Sequence, residues 1–178
     1  MGASVSTLVE VHNGKEWIEL EESIFPVLAG YEDIYGEHTS SPFQPQHYGL
    51  FAFVGDVRNY YAVPSIAPHR GLPDDHMSET EIIFGGAEQA ISRYPYRILE
   101  GSSQTWVTAN ELLEFNYDEK FEDRRNHDGF NGSETLPDGK GKVITYRELL
   151  GDHYFKELEV LKTFAEPNKV RIVFAFES

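Results

Sequence analysis

The sequence predicts an α+β fold: an antiparallel sheet with an N-terminal β-hairpin and a C-terminal strand, with helices and long loops inserted between them. Alternating, β-branched segments flank Asn13-Gly14, the strongest short signal for a hairpin. Another alternating segment, 170–176, closes the chain, and we expect its strand to lie beside the opening hairpin. With 178 residues and no sharp shift in composition, we expect residues 1–178 to form a single domain.

In the first half, the hairpin strands are expected at 4–12 and 15–20. The segment 21–46 is interrupted by Pro and Gly, which predicts a partly ordered loop with at most one helical turn. Apolar residues at nearly helical spacing predict a buried helix over 46–59, although Gly49 weakens it. Prolines exclude regular structure from the loop that follows: Pro64, Pro68 and Pro73.

In the second half, three capping boxes predict helix starts: Ser78–Glu81, Thr108–Glu111 and Thr145–Glu148. The first helix should run towards Ser92 and the last to about Phe164, and a short strand is expected at 105–107. Residues 117–141 are charged, rich in Gly, Asn and Asp, and without periodicity, so we expect them to form a mobile loop.

The composition excludes several classes of function. The chain has no cysteine, which removes disulfides, thiolate nucleophiles and cysteine-based zinc sites. A net charge of −15 makes nonspecific binding to nucleic acid or to an anionic membrane unfavourable, because both require Lys and Arg. There is no apolar run of the length that spans a bilayer. The sequence also lacks a Walker A loop, a Rossmann fingerprint and a nucleophile elbow, which favours a protein without catalytic activity and without a cofactor.

Scarce positive charges indicate the candidate binding site. The first 89 residues contain 14 Asp and Glu but only three Lys and Arg, and two of these cations, Arg58 and Arg70, lie in 47–75. Guanidinium groups hold phosphate, and aromatic rings stack on bases. Tyr61 is a further aromatic residue of this stretch, next to Tyr60 in the sequence. The predicted ligand-binding residues are His47, Tyr48, Arg58, Tyr60, His69, Arg70 and Trp106.

Two alternatives give this stretch of sequence other roles. The two arginines could form structural ion pairs with Asp56, Asp74 or Asp75, with the aromatic rings in the core. A metal site could form instead, although Pro73-Asp74-Asp75 equally suits a turn. Its ligands would be His69, Asp74, Asp75 and His76.

Five segments of the chain form one pattern: Tyr48–Ala52, Asp56–Asn59, Arg70–Asp75, Thr105–Thr108 and Glu111–Leu113. Together they resemble a family of small hypothetical proteins of bacteriophages and some actinobacteria. The resemblance covers roughly 47–115, but this chain has Ser102-Ser103-Gln104 where the family has a His-rich segment before the Trp. It implies a phage or prophage accessory protein in the cytoplasm of the bacterial host cell, and it carries over no activity.

The leading hypothesis is a phage-type accessory protein that counters host antiviral immunity by binding and sequestering a small nucleotide signal. A homo-oligomer is one arrangement that this hypothesis allows. The first alternative is an acidic interaction protein, or nucleic-acid mimic, that blocks a basic host defence protein. The second is a metal-dependent phosphodiesterase that cleaves a nucleotide signal at the metal site described above.

Overall fold

The computed structural model describes residues 2–75 and 103–177. The strands in these ranges are, in chain order, β1 (Ser4–His12), β2 (Trp17–Glu19), β3 (Phe25–Pro26), β4 (His38–Thr39), β5 (Ser103–Thr108), β6 (Lys120–Asp123), β7 (Lys142–Thr145) and β8 (Val170–Glu177). The helices are α1 (Glu32–Tyr35), α2 (Tyr48–Gly55), α3 (Ala109–Glu114) and α4 (Tyr146–Leu161). None of these helices combines the length and apolar character that crossing a membrane requires.

Four strands form one antiparallel sheet in the order β2-β1-β8-β5, which confirms the predicted α+β class. On one side β8 pairs with β1, and on the other it pairs with β5. The closing strand therefore lies beside the opening hairpin, as expected. Because β8 is internal and covered on both faces, all of its residues from Val170 to Phe176 are buried.

The predicted buried helix is α2, which packs against the sheet through Phe51 and Phe176, whose ring centroids are 5.3 Å apart. It is shorter than expected, because Asp56 adopts a left-handed backbone conformation (φ 54°) and ends it. Its glycines are required by packing. A Cβ at Gly55 would lie 2.5 Å from the Phe176 ring, and one at Gly49 would lie 2.8 Å from Leu149.

The capping box that opens α3 is confirmed. Thr108 Oγ1 accepts a hydrogen bond from Glu111 N (3.1 Å), and Glu111 Oε1 accepts one from Thr108 N (3.0 Å). Thr145 caps α4 in the expected position, but this helix ends at Leu161, and Gly151 interrupts its helical backbone at φ 79°. The helix predicted over 78–92 lies outside the described residues.

Both predicted loops contain short regular elements. In 21–46, α1 is the single helical turn that was expected, and β3 pairs with β4 beside it. The interpretation that 117–141 has no periodicity is wrong for the first part of this segment, which contains β6. In this strand Phe121 and Asp123 are buried while Lys120 is exposed, and β6 pairs with β7. The charged side chains concealed this two-residue alternation. The mobility of this segment stays a prediction.

Candidate functional site

The loop that follows α2 is tightly wound and braced from within. Three non-glycine residues in it have left-handed backbone angles, with φ of 54° at Asp56, 52° at Arg58 and 56° at Ala62. The Asn59 amide holds the loop, because it donates to Asp56 Oδ1 (2.7 Å) and Val63 O (2.8 Å) and accepts from Val63 N (3.1 Å). Residues in such conformations cluster at binding sites, where the surrounding structure maintains them. The loop therefore fixes the side chains that it carries.

Arg125 joins this loop to the segment that follows β6. Its Nη1 donates to the Tyr61 hydroxyl (2.6 Å), and its Nε donates to the Gly132 carbonyl (2.7 Å). The guanidinium carbon lies 5.1 Å from the centroid of the Tyr61 ring and 5.9 Å from that of Tyr48. One cationic group is thus held close to two aromatic rings, an arrangement in which the ring quadrupoles stabilise the charge.

These side chains border an open cleft of about 300 Å³, which we call the arginine–tyrosine cleft. Its walls combine a guanidinium group, two phenol rings, an imidazole and a side-chain amide. Aromatic surface with a few fixed polar groups is the usual composition of a small-ligand site. The lining residues are Gln46, His47, Tyr48, Tyr61 and Arg125.

Arg58 places a second cationic group beside the cleft, where it is hydrogen-bonded to Tyr60. Arg58 Nη1 donates to the Tyr60 hydroxyl (2.9 Å), and the rings of Tyr48 and Tyr60 have centroids 6.5 Å apart. The hydrogen bond from Arg58 lowers the pKa of Tyr60 below its ordinary value, and the charge of Arg125 acts in the same direction. Two cationic groups therefore act on the Tyr60 hydroxyl, in a protein whose net charge is −15.

The structure brings four of the seven predicted site residues together: His47 and Tyr48 line the cleft, and Arg58 and Tyr60 lie beside it. Tyr61, expected as an aromatic neighbour, is part of its wall.

Arg70 and Trp106 form a separate group. The Arg70 guanidinium makes a two-pronged ion pair with Glu111 (2.6 and 2.7 Å), and it lies 4.6 Å from the centroid of the Trp106 ring. The hydrogen bond from Arg70 lowers the pKa of Glu111 below its ordinary value. This geometry matches the ion-pair alternative for Arg70, with Glu111 as the acid instead of Asp74 or Asp75. His69 is exposed.

Asp75, one of the two carboxylates of the predicted metal site, binds other side chains. Asp75 accepts hydrogen bonds from Arg171 (2.7 Å) and from the Trp17 indole nitrogen (3.0 Å). Asp74 and His69 are exposed, and His76 lies outside the described residues. In the ranges that the structure describes, no three His, Asp or Glu side chains lie close enough together to hold a metal ion.

Sequence reasoning missed Arg125 and Gln46. Arg125 belongs to a charged segment that looked like solvent-exposed loop, and it lies at the cleft because this segment is hydrogen-bonded to the loop after α2, with Arg124 N donating to Tyr61 O (2.9 Å). Its one signal in the sequence is that Arg124 and Arg125 are the only two adjacent residues that are both Lys or Arg. Gln46 carries no comparable signal.

His47 links the cleft to the stability of α2, because its Nδ1 caps the helix by accepting from Leu50 N (2.9 Å). Burial lowers the pKa of His47 below its ordinary value of 6.5. Since the folded state holds the neutral form, this contribution to stability is complete above about pH 6.5 and is lost as pH falls through the lowered pKa. His47→Ala should lower the free energy of unfolding by about 1 kcal/mol at pH 8.

Urea unfolding at pH 8 and pH 5 measures both effects. His47→Asn is the matched control, because asparagine can cap the helix and does not titrate. It should unfold like the wild type at pH 8 and lose less stability on acidification. An equal loss of stability in the two proteins between pH 8 and pH 5 would contradict this role of His47.

Comparison with known proteins gave no match to a protein-family model, to a curated protein or to a solved structure.

Proposed function

We propose that the arginine–tyrosine cleft binds a small anionic ligand with an aromatic ring system, of which a nucleotide is the clearest example. The observation that carries the proposal is the Arg125 guanidinium, held against the rings of Tyr61 and Tyr48 at the edge of an open cleft. A fixed guanidinium suits phosphate oxygens, and an aromatic face suits a base. Both ingredients of nucleotide recognition are therefore present within one cleft.

The net charge of −15 opposes an anionic ligand, but the contacts close to the cleft favour one. Exposed charges more than about 8–10 Å away are largely screened at physiological salt. Near the cleft, the guanidinium groups of Arg58 and Arg125 both lower the pKa of Tyr60. The Asp123 carboxylate lies 2.7 Å from His127 Nε2 and forms an ion pair with this histidine when it is protonated. Local charges therefore determine which ligand the cleft prefers.

The biological role that we propose follows from the resemblance of the chain to small hypothetical proteins of bacteriophages, which implies an accessory protein. Such a protein would counter host immunity by sequestering a nucleotide signal inside the infected cell. This role requires tight binding and no turnover. The His47 imidazole and the Gln46 amide would then supply hydrogen bonds to the ligand, and Tyr48 would supply a stacking surface worth about 1–3 kcal/mol per base.

A thermal-shift screen against cyclic dinucleotides, cyclic trinucleotides and ADP-ribose derivatives tests the proposal. At a ligand concentration 100-fold above Kd, binding should stabilise the folded state by about 2.7 kcal/mol. For a protein of this size, that corresponds to a rise in Tm of about 5–10 °C. The absence of a shift with every compound at millimolar concentration would end the nucleotide proposal.

A further inference from the structure

A second and larger cavity, of about 420 Å³, lies between α4, α1 and the first residues of β1. Its walls are apolar at Val5, Val27 and Leu28, and polar at Thr39 and Ser41. The volume is within the range of small-molecule sites. Gln46 is the one described residue that lines both this cavity and the arginine–tyrosine cleft.

A buried carboxylate forms part of the cavity wall. Glu157 is only 2% exposed, and its two oxygens have different partners. Oε2 accepts a hydrogen bond from Phe43 N (2.6 Å), while Oε1 lies 3.0 Å from His153 Nε2. Burial raises the pKa of Glu157 above its ordinary value, so the ionised carboxylate is costly in this environment. A cation close to this group would offset that cost.

Two tyrosines of the chain segment around α1 complete the cavity wall. Tyr31 and Tyr35 stack with ring centroids 6.4 Å apart, and both remain exposed, Tyr35 to 63%. Between them the chain carries the acidic residues Glu32 and Asp33. No lysine or arginine is among the described residues that line the cavity. Aromatic faces, acidic neighbours and a buried carboxylate all favour a positively charged guest.

We propose that this cavity binds an organic cation, with its ammonium group towards the Glu157–His153 pair and its apolar body against the Tyr31 and Tyr35 rings. The acidic residues Glu32 and Asp33 attract such a ligand, and the Glu157 carboxylate and the contacts between its apolar body and the two tyrosine rings hold it. This site is separate in chemistry from the arginine–tyrosine cleft, which favours anions. The proposal therefore does not depend on the proposed function.

Titration calorimetry with phenethylamine and with its neutral analogue 2-phenylethanol tests the charge preference. The two probes share a phenyl ring and a two-carbon chain and differ in the ammonium group. Phenethylamine should bind at least about tenfold more tightly to the wild-type protein, which corresponds to about 1.4 kcal/mol. Equal affinity for the two probes, or no heat of binding for phenethylamine at millimolar concentration, would overturn the proposal.

Variants locate the binding on the protein. Glu157→Gln keeps an acceptor for Phe43 N and removes the charge, so the preference for phenethylamine should fall to about threefold or less. Tyr35→Ala should weaken phenethylamine binding by about two- to fivefold, and because this residue is exposed the variant does not disturb the core. Phe130→Ala removes an exposed aromatic ring elsewhere and should bind like the wild type. Unchanged binding by Tyr35→Ala would overturn the assignment even if Glu157→Gln fails to fold.

Discussion

Replacement of Arg171 by leucine is expected to lower the free energy of unfolding by about 3–5 kcal/mol, the usual effect of removing one partner of a buried ion pair. Arg171 is 2% exposed, and its Nε donates to Oε1 of the buried Glu10 directly opposite on β1 (2.9 Å). On the other side of Glu10, β2 places Glu19, a second carboxylate. Arg171 thus supplies positive charge beside two facing acids in the sheet.

The same substitution removes two further contacts. Arg171 lies 3.9 Å from the centroid of the Trp17 ring, a cation–π contact worth about 0.5–2 kcal/mol. It also holds Asp75, and this hydrogen bond lowers the pKa of Asp75 below its ordinary value. Because Asp75 is ionised in the folded state, its contribution to stability is present above about pH 3.8 and is lost as pH falls further.

Urea unfolding at pH 7 measures the effect of the substitution, and a double variant separates its causes. Glu10→Leu with Arg171→Leu removes both charges, and apolar side chains of similar size often replace a buried pair at little cost. The double variant should therefore be more stable than Arg171→Leu alone. A loss below about 1 kcal/mol for the single variant, or a double variant of lower stability, would show that the pair does not act as described.

Phe53→Ala should also cost about 3–5 kcal/mol, because it removes the central ring of an aromatic cluster. Phe53 is fully buried in α2. Its centroid lies 5.0 Å from that of Phe115, 5.6 Å from Tyr146, 6.0 Å from Tyr117 and 6.4 Å from Tyr154. The cluster connects α2 to α4 and to the segment after α3, so the alanine leaves a cavity among elements that cannot readily close it.

Calorimetric or denaturant unfolding checks this prediction. Phe53→Leu is the graded control, since it retains much of the volume and loses the ring contacts, and it should be clearly less destabilising than alanine. Similar losses for the two variants would mean that ring contacts, and not cavity formation, dominate at this position. A loss below about 1.5 kcal/mol for Phe53→Ala would contradict the packing described here.

Local signals in the sequence accounted for most of the architecture. Asn13-Gly14 between alternating segments identified the hairpin, and the Thr108 and Thr145 capping patterns marked the starts of α3 and α4. These features depend on residues close together in the chain, where backbone geometry and short-range hydrogen bonds decide the outcome. The early end of α2 was not predicted, because Asp56 adopts a left-handed conformation that is uncommon for a residue other than glycine. The strand β6 was not predicted, because its charged side chains concealed the two-residue alternation.

The candidate site was only half predictable for the same reason. His47, Tyr48, Arg58 and Tyr60 lie close together in the chain, so one stretch of sequence contained them all. Arg125 comes from another part of the chain, and its position beside Tyr61 depends on hydrogen bonds between that part and the loop after α2. Likewise, nothing near Arg70 in the sequence singled out Glu111 as its partner. Nonlocal pairing of charged side chains is decided by the fold, and one sequence does not reveal it.

The most direct test of the central claim compares two arginines in their effect on ligand binding. The ligand is the nucleotide from the proposed panel that stabilises the wild-type protein most, and titration calorimetry gives its affinity. Arg125→Gln should weaken binding by about 10- to 100-fold, because it removes the cationic hydrogen-bond donor of the cleft. Arg70→Gln, which loses the ion pair with Glu111 and the contact with the Trp106 ring, should bind with nearly wild-type affinity. Loss of binding in Arg70→Gln with wild-type affinity in Arg125→Gln would contradict the assignment of the site.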